Sequence, residues 1–236
     1  MMKLENIVEI TATLRLETGL HIGAGDSEMH IGGIDNSVIK NPITNQPYIP
    51  GSSLKGKIRS LLEWRSGKIS NGDLLSLNDL KDGNENVKQI LQLFGIAANS
   101  DNDEKKLQEI GVSRLAFWDC SLTESWEKRI CEDNQLLTEA KNENTIDRIT
   151  ATAGNPRQTE RVPAGVEFDF KLTMRKFEGD SDELLNLILK GLRLLELDSL
   201  GGSGSRGYGK VKFEDLEIKG VEKEFGKDLT NINPFA

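Results

Sequence analysis

Histidine and cysteine are almost missing from this chain. Its 236 residues include only His21, His30, Cys120 and Cys131. Two thiols make no disulfide framework, and two imidazoles beside them give poor material for a four-ligand zinc site. Free thiols point to a reducing, cytoplasmic setting. Catalysis by several histidines, or by a Cys–His pair, is poorly supplied. No apolar run approaches the ~18 residues of a membrane span, and mean hydropathy is -0.44, so no membrane partner is expected. The opening MMKLENIVEI has no apolar core of a secretory leader. A G-x-S-x-G nucleophile elbow is also absent, which leaves a serine triad without support.

Excess positive charge is missing too. The net charge is -8, which argues against a uniformly basic nucleic-acid binder. The distribution changes that reading. Residues 69–143 carry 8 Lys/Arg against 15 Asp/Glu, whereas residues 1–68 carry 8 against 7. The acidity is concentrated in one stretch, so basic patches elsewhere remain open.

What is present is strong periodicity at both ends. Val8, Ile10, Ala12, Leu14 and Leu16 alternate with polar residues, as do Val166, Phe168, Phe170, Leu172 and Met174. Period two over this length predicts half-buried strands. Shorter strands are expected over 114–119 and 210–218. Gly51-Ser52-Ser53 opens a helix with Leu54, Ile58, Leu61 and Leu62 on one face, a serine serving as N-cap. Ser181 to Leu197 predicts a second helix. Residues 70–112 are polar and acidic, with one short helix near 87–94. Residues 124–141 are weakly helical by pattern. Gly154-Asn155-Pro156 is a turn signal between strand-like stretches, which predicts a protruding hairpin centred there. The order strand, helix, strand, hairpin, strand, helix, strand fits an α+β, ferredoxin-like (RRM-like) βαββαβ core with insertions, with other α+β layouts left open. The reading is one such domain over residues 1–236, with an acidic insertion near 69–112 and a second near 130–165.

Four segments carry candidate chemistry. Gly204 to Lys210 satisfies G-x-x-x-x-G-K, but Val211 stands where the magnesium-binding Ser/Thr belongs, and the context runs helix to strand rather than strand to helix. A nucleotide phosphate loop is therefore excluded. The same loop, with Arg206 and Tyr208, can grip a polynucleotide backbone through exposed amides, or can be a plain connection. Lys55, Lys57 and Arg59 crowd the first turns of a helix whose dipole prefers acids. Either a bound anion offsets them or they form a solvated face. Arg148, Arg157 and Arg161 lie on the suspected hairpin, suited to bidentate phosphate contacts or to ordinary surface charge. Asp35, in Gly32-Gly33-Ile34-Asp35-Asn36, is by itself a turn former; beside a phosphate groove it can hold a divalent cation or take a proton. His21 can touch RNA or pack at a strand end.

Taken in order, Leu16 to Gly23, Gly33-Ile34-Asp35-Asn36, Ile49 to Gly56, Asn144 to Arg148 and Gly201 to Gly209 resemble the repeat-associated mysterious protein (RAMP) superfamily. Within it they are similar to the repeated backbone subunits of type III-A CRISPR (Csm) effector complexes. The resemblance covers roughly residues 8–215 and is weakest over 69–143. It implies an RRM-like palm with a thumb, here the hairpin around 146–161. It implies stacking of further copies of the chain along a guide RNA (crRNA), contact with other Csm subunits, and cutting of complementary target RNA at regular intervals. Asp35 falls at the position of the family's essential aspartate, which makes it the expected catalytic residue and ligand of a divalent metal, Mg2+ being the expected ion. The RNA-binding set expected from residues and resemblance together is His21, Lys55, Lys57, Arg59, Arg148, Arg157, Arg161, Arg206 and Tyr208. The alternatives are a non-catalytic RNA-binding scaffold subunit and a stand-alone guide-processing endoribonuclease; the scarcity of histidine disfavours the latter.

Overall fold

The computed structural model describes residues 3–25, 36–69, 72–80, 84–96, 104–133, 137–222 and 225–236. Asp26, His30 and Asp35 lie outside the described residues.

The chain runs β1 (Leu4–Leu16), α1 (Gly51–Ser66), α2 (Glu85–Phe94), α3 (Glu104–Ile110), β2 (Leu115–Phe117), α4 (Glu124–Asp133), β3 (Glu139–Ile146), β4 (Ala153–Arg161), β5 (Glu167–Phe177), α5 (Glu183–Leu197) and β6 (Val211–Lys219). Four strands form one antiparallel sheet in the order β2-β5-β1-β6. That is the ferredoxin-like arrangement expected from the element order. β3 and β4 pair separately as a two-stranded hairpin.

The alternation in β1 and β5 places Val8, Ile10, Leu14, Phe168, Phe170 and Leu172 on one buried face. Leu14 faces Phe168 and Ile10 faces Leu172 across the ladder. Against this face pack Leu54, Ile58 and Leu62 of α1 and Leu184, Ile188, Leu192 and Leu195 of α5, all buried. Each such side chain contributes about 1.5–3 kcal/mol of burial. The two helices touch at Gly191, where a Cβ would sit 2.7 Å from Ile58 Cγ2. In β6 the inward positions change from Val211 and Phe213 to Leu216. The period slips because a bulge with Asp215 at φ 52° inserts one extra residue opposite β1.

Two expectations need correction. The hairpin does not turn at Gly154-Asn155-Pro156, which lie inside β4. It turns at Asp147 to Thr152, where Asp147 Oδ1 accepts the N–H groups of Ile149 and Thr150, both at 2.8 Å. An Asx side chain that satisfies its own backbone outcompetes the glycine–proline signal. The acidic stretch contributes to the core, since Leu75, Leu77, Val87, Ile90, Leu91, Leu93, Phe94 and Ile110 are buried in the same apolar cluster as the sheet. Finally, no serine caps α1. Its N-cap is Pro50, which makes no side-chain cap bond, and the Gly51 N–H donates to Asp119 Oδ1 at 2.7 Å. Gly51 has no room for a Cβ, because the Phe117 carbonyl of β2 lies against it.

Candidate RNA interface

The base of the hairpin, the segment after β1 and the glycine loop before β6 meet at one place. Leu20 bridges Val162, Gly23 bridges Val38, and Asn36 bridges Thr159. The glycine loop closes on itself through Leu200 N–H to the Gly209 carbonyl (2.8 Å) and docks through Gly209 N–H to the Gly19 carbonyl (2.9 Å) and Gly202 N–H to the His21 carbonyl (2.9 Å). Gly201 and Gly209 hold φ of 74° and 72° with backbone carbonyls where a Cβ would go, so both positions require glycine.

Tyr208 is the floor of this junction, 1% exposed. Its ring carries Lys141 Nζ at 4.4 Å and Arg161 Cζ at 5.1 Å from the centroid. Its hydroxyl donates to Glu143 Oε1 at 3.0 Å. Glu143 also pairs with Arg206 (Nε–Oε2 3.2 Å) and Lys141 (3.7 Å) and lies opposite Arg157 across the hairpin. Burial pushes its pKa up, but the Tyr208 hydrogen bond and the charges of Arg206, Lys141 and Arg157 outweigh that and hold it below the ordinary 4.5. Burial and the hydrogen bond to Glu143 push the Tyr208 phenol up.

A second buried carboxylate organises the adjoining wall. Glu160 accepts from Lys40 Nζ at 2.6 Å and from Val38 N–H at 2.9 Å. Burial acts to raise its pKa, yet Lys40, Thr138 and the Val38 amide bring it below 4.5. The Glu160 carbonyl lies 2.6 Å from His21 Nδ1. A carbonyl only accepts, so Nδ1 is the donor in this contact. The Glu160 N–H donates to the Asn36 carbonyl at 2.9 Å.

Of the expected site residues, His21, Arg161, Arg206 and Tyr208 come together here. Arg157 is exposed on β4, and Arg148 is exposed at the hairpin turn, donating to the Ile146 carbonyl at 3.1 Å. Lys57 bonds Asp198 Oδ2 at 2.8 Å, at the end of α5 where the glycine loop begins. Lys55 is half-buried on α1.

Arg59 is a correction. It points inward, 8% exposed, with Nε on Glu63 Oε1 at 2.7 Å and its terminal nitrogens on the carbonyls of Gly95 and Leu75, each at 3.1 Å. It ties α1 to the acidic segment and does not share an outer face with Lys55. At the start of α1 the Gly51 amide is taken by the chain's own Asp119. Tyr208, expected to touch an RNA backbone, is instead buried beneath Lys141 and Arg161. The glycine-loop amides of Gly202, Arg206, Gly207 and Gly209 are bonded within the chain. Asp35 lies outside the described residues, next to Asn36. Among the described residues no three His, Cys, Asp or Glu side chains gather as metal ligands, and none of their helices is long and apolar enough to cross a membrane.

Lys40, Lys141, Glu143 and Glu160 were missed by sequence reasoning. The available signal was the charged alternation Glu139, Lys141, Glu143, which puts three side chains on one face of a strand.

A ferredoxin-like α+β fold with a cation-lined junction of glycine loop and hairpin is the class the geometry defines. A family model described as the RAMP superfamily matches residues 13–212, and the chain belongs to that superfamily. It is 46% identical over 230 residues, covering 96% of this chain and 94% of the relative, to the CRISPR system Cms endoribonuclease Csm3 of Streptococcus thermophilus. It is 40% identical over 221 residues to the protein of that name from Methanothermobacter thermautotrophicus, covering 89% of this chain and 84% of the relative. Among solved structures it is similar to a chain of the Csm3–Csm4 subcomplex in the type III-A CRISPR-Cas interference complex. There the TM-score is 0.53 at 26% identity, with 92% of this chain and 80% of that one covered. A chain of the type III-B Cmr-beta complex bound to cognate target RNA shares the fold, with a TM-score of 0.57 at 18% identity over 90% of this chain and 61% of that one.

Proposed function

We propose that this chain is a guide-RNA-binding backbone subunit of a type III-A CRISPR effector complex, stacking with further copies of itself and other Csm subunits, and cutting bound target RNA endonucleolytically. The observation that carries the reading is the gathering of Lys141, Arg161 and Arg206, from three separate stretches of chain, around the Tyr208 ring beside the hairpin base. Cations outnumber carboxylates there, and an RNA backbone is the ligand that takes planar guanidinium groups side by side. The relatives named endoribonuclease, at 40% and 46% identity, support the cutting activity.

The reaction is transesterification at one phosphodiester. The 2′-hydroxyl oxygen bonds to phosphorus as the P–O5′ bond breaks in line. The 2′-proton goes to a base, and the 5′-oxygen leaves with a proton, giving a 2′,3′-cyclic phosphate and a 5′-hydroxyl. Asp35 is the proposed base, on the strength of its family position. The binding residues hold the strand so that the attacking oxygen, phosphorus and leaving oxygen align, and alignment of this kind is worth up to about 7–11 kcal/mol. Lone carboxylates bind Mg2+ together with substrate phosphates rather than as a closed protein cage. An ion recruited in this way would neutralise charge on the phosphate.

The test is to incubate the assembled complex with end-labelled complementary RNA, with magnesium and with chelator. Evenly spaced fragments that need magnesium, and vanish in Asp35→Ala while target remains bound, are expected. Binding without fragments in the wild type would favour the scaffold reading.

A further inference from the structure

Glu143 is an acid in the middle of the cation cluster, and simple charge matching to RNA gives it no place. Its two oxygens reach two residues of one loop. Oε1 takes the hydroxyl of Tyr208 at 3.0 Å, and Oε2 takes Arg206 Nε at 3.2 Å. Both partners belong to the glycine loop, whereas Glu143 belongs to β3 and stands where the hairpin register shifts. Its side chain is 12% exposed against 49% for Arg206. The hairpin and the four-stranded sheet share no ladder. Charged bridges at its root, Glu143 to the loop and Lys40 to Glu160, therefore help fix the angle at which the hairpin leaves the body. Arg206 is held at a second point by Ser203, its Nη2 donating to Oγ, so the half-exposed guanidinium has a set orientation.

We propose that Glu143 is a positioning residue that latches the β3–β4 hairpin to the glycine loop and thereby sets where a bound target strand is cut. The second half rests on the RNA-cutting reading; the latch itself does not. RNA held by the loop and RNA met by the hairpin turn are then kept in fixed register by one carboxylate, with Tyr208 as its buried anchor.

The latch is tested on the full chain without RNA. Spin labels are attached at Ile149→Cys, on the exposed hairpin turn, and at Glu217→Cys, on the exposed face of β6. Cys131 is replaced by serine, and Cys120 is buried with its thiol pushed up to about 12, so it stays unlabelled. One narrow distance is expected for the parent. Glu143→Ala and Tyr208→Phe should each broaden it, and Glu143→Gln, which still accepts from Tyr208 but carries no charge, should fall between. Tyr208→Phe removes a single hydroxyl and keeps the ring under Lys141 and Arg161, so it serves if Glu143→Ala does not fold. A distribution as narrow in the folded variants as in the parent overturns the latch.

In the assembled complex, compared at RNA concentrations that saturate binding, the same variants should spread their cuts to neighbouring phosphates. An unchanged cutting pattern with a loosened hairpin overturns the positioning role. A wild-type complex that yields no fragments overturns the RNA-cutting reading and the second half of the proposal with it, while the distance measurement still decides the latch.

Discussion

The side chain of Arg161 lies across the bare backbone of Gly19: a Cβ at residue 19 would come 2.6 Å from Arg161 Cδ and 2.7 Å from its Nε. The same arginine sits over Tyr208 and bonds Glu139 Oε1 at 2.6 Å. Gly19→Ala should push Arg161 off the ring and lower guide affinity about as much as Arg161→Ala does, with thermal stability changing by about 1 kcal/mol or less at the first site. Filter binding at fixed salt checks this. Full affinity in Gly19→Ala would mean the arginine relocates without loss.

Arg59 is predicted to act on stability and not on RNA. Removing it leaves the Glu63 carboxyl in the interior without its arginine, since the Glu63 side chain is 3% exposed. Breaking a buried pair in this way costs about 3–5 kcal/mol. Denaturant melts of Arg59→Ala should show a loss of that order, while the salt dependence of guide binding by the folded fraction stays that of the wild type.

Acid should loosen the hairpin root. Glu160 has a folded pKa below its ordinary 4.5 because Lys40, Thr138 and the Val38 amide outweigh burial, and Glu143 is shifted the same way. The unfolded chain therefore binds these protons more readily. The stabilisation is present in full above about pH 4.5 and is lost as pH falls through the lower folded values. Melting temperature should drop over that range, and Glu160→Gln should flatten the drop. A wild-type melting temperature that holds steady through it would contradict the assignment.

Gly209→Ala is predicted to fail at the loop itself. The position has φ 72°, and the Leu200 carbonyl occupies the space of a Cβ, so the closure between Leu200 and Gly209 is lost. Guide binding should fall with it. Gly207→Ala, at φ 81° in open space, should cost about 1–2 kcal/mol and leave binding in place.

The sequence carried the sheet and its two covering helices plainly, because β1, β5 and α5 each bury one face of an unbroken period. It carried the hairpin but misplaced its turn, since Asp147 competes locally with Gly154-Asn155-Pro156. The start of β3 went unread because residues 139–143 present no apolar face, Ala140 being the one apolar side chain among them. Lys55 and Arg59 show why a helical spacing of four does not settle exposure. Glu63, one turn on, and the carbonyls of Leu75 and Gly95 draw Arg59 inward, and no local pattern announces those long-range partners. The expected residues that the structure brings together, His21, Arg161, Arg206 and Tyr208, stood in glycine-rich or arginine-bearing motifs. Glu143 and Glu160, which hold those residues in place, stood in unremarkable charged alternation.

The most direct test of the RNA-binding account is the slope of guide affinity against salt for the double variant Arg157→Ala with Arg206→Ala. Each phosphate contact on a single strand contributes about 0.7 to that slope. The account predicts a slope shallower than the wild type by about 1.4, with the fold intact by thermal melt. A slope equal to the wild type's would place the RNA elsewhere and contradict the account.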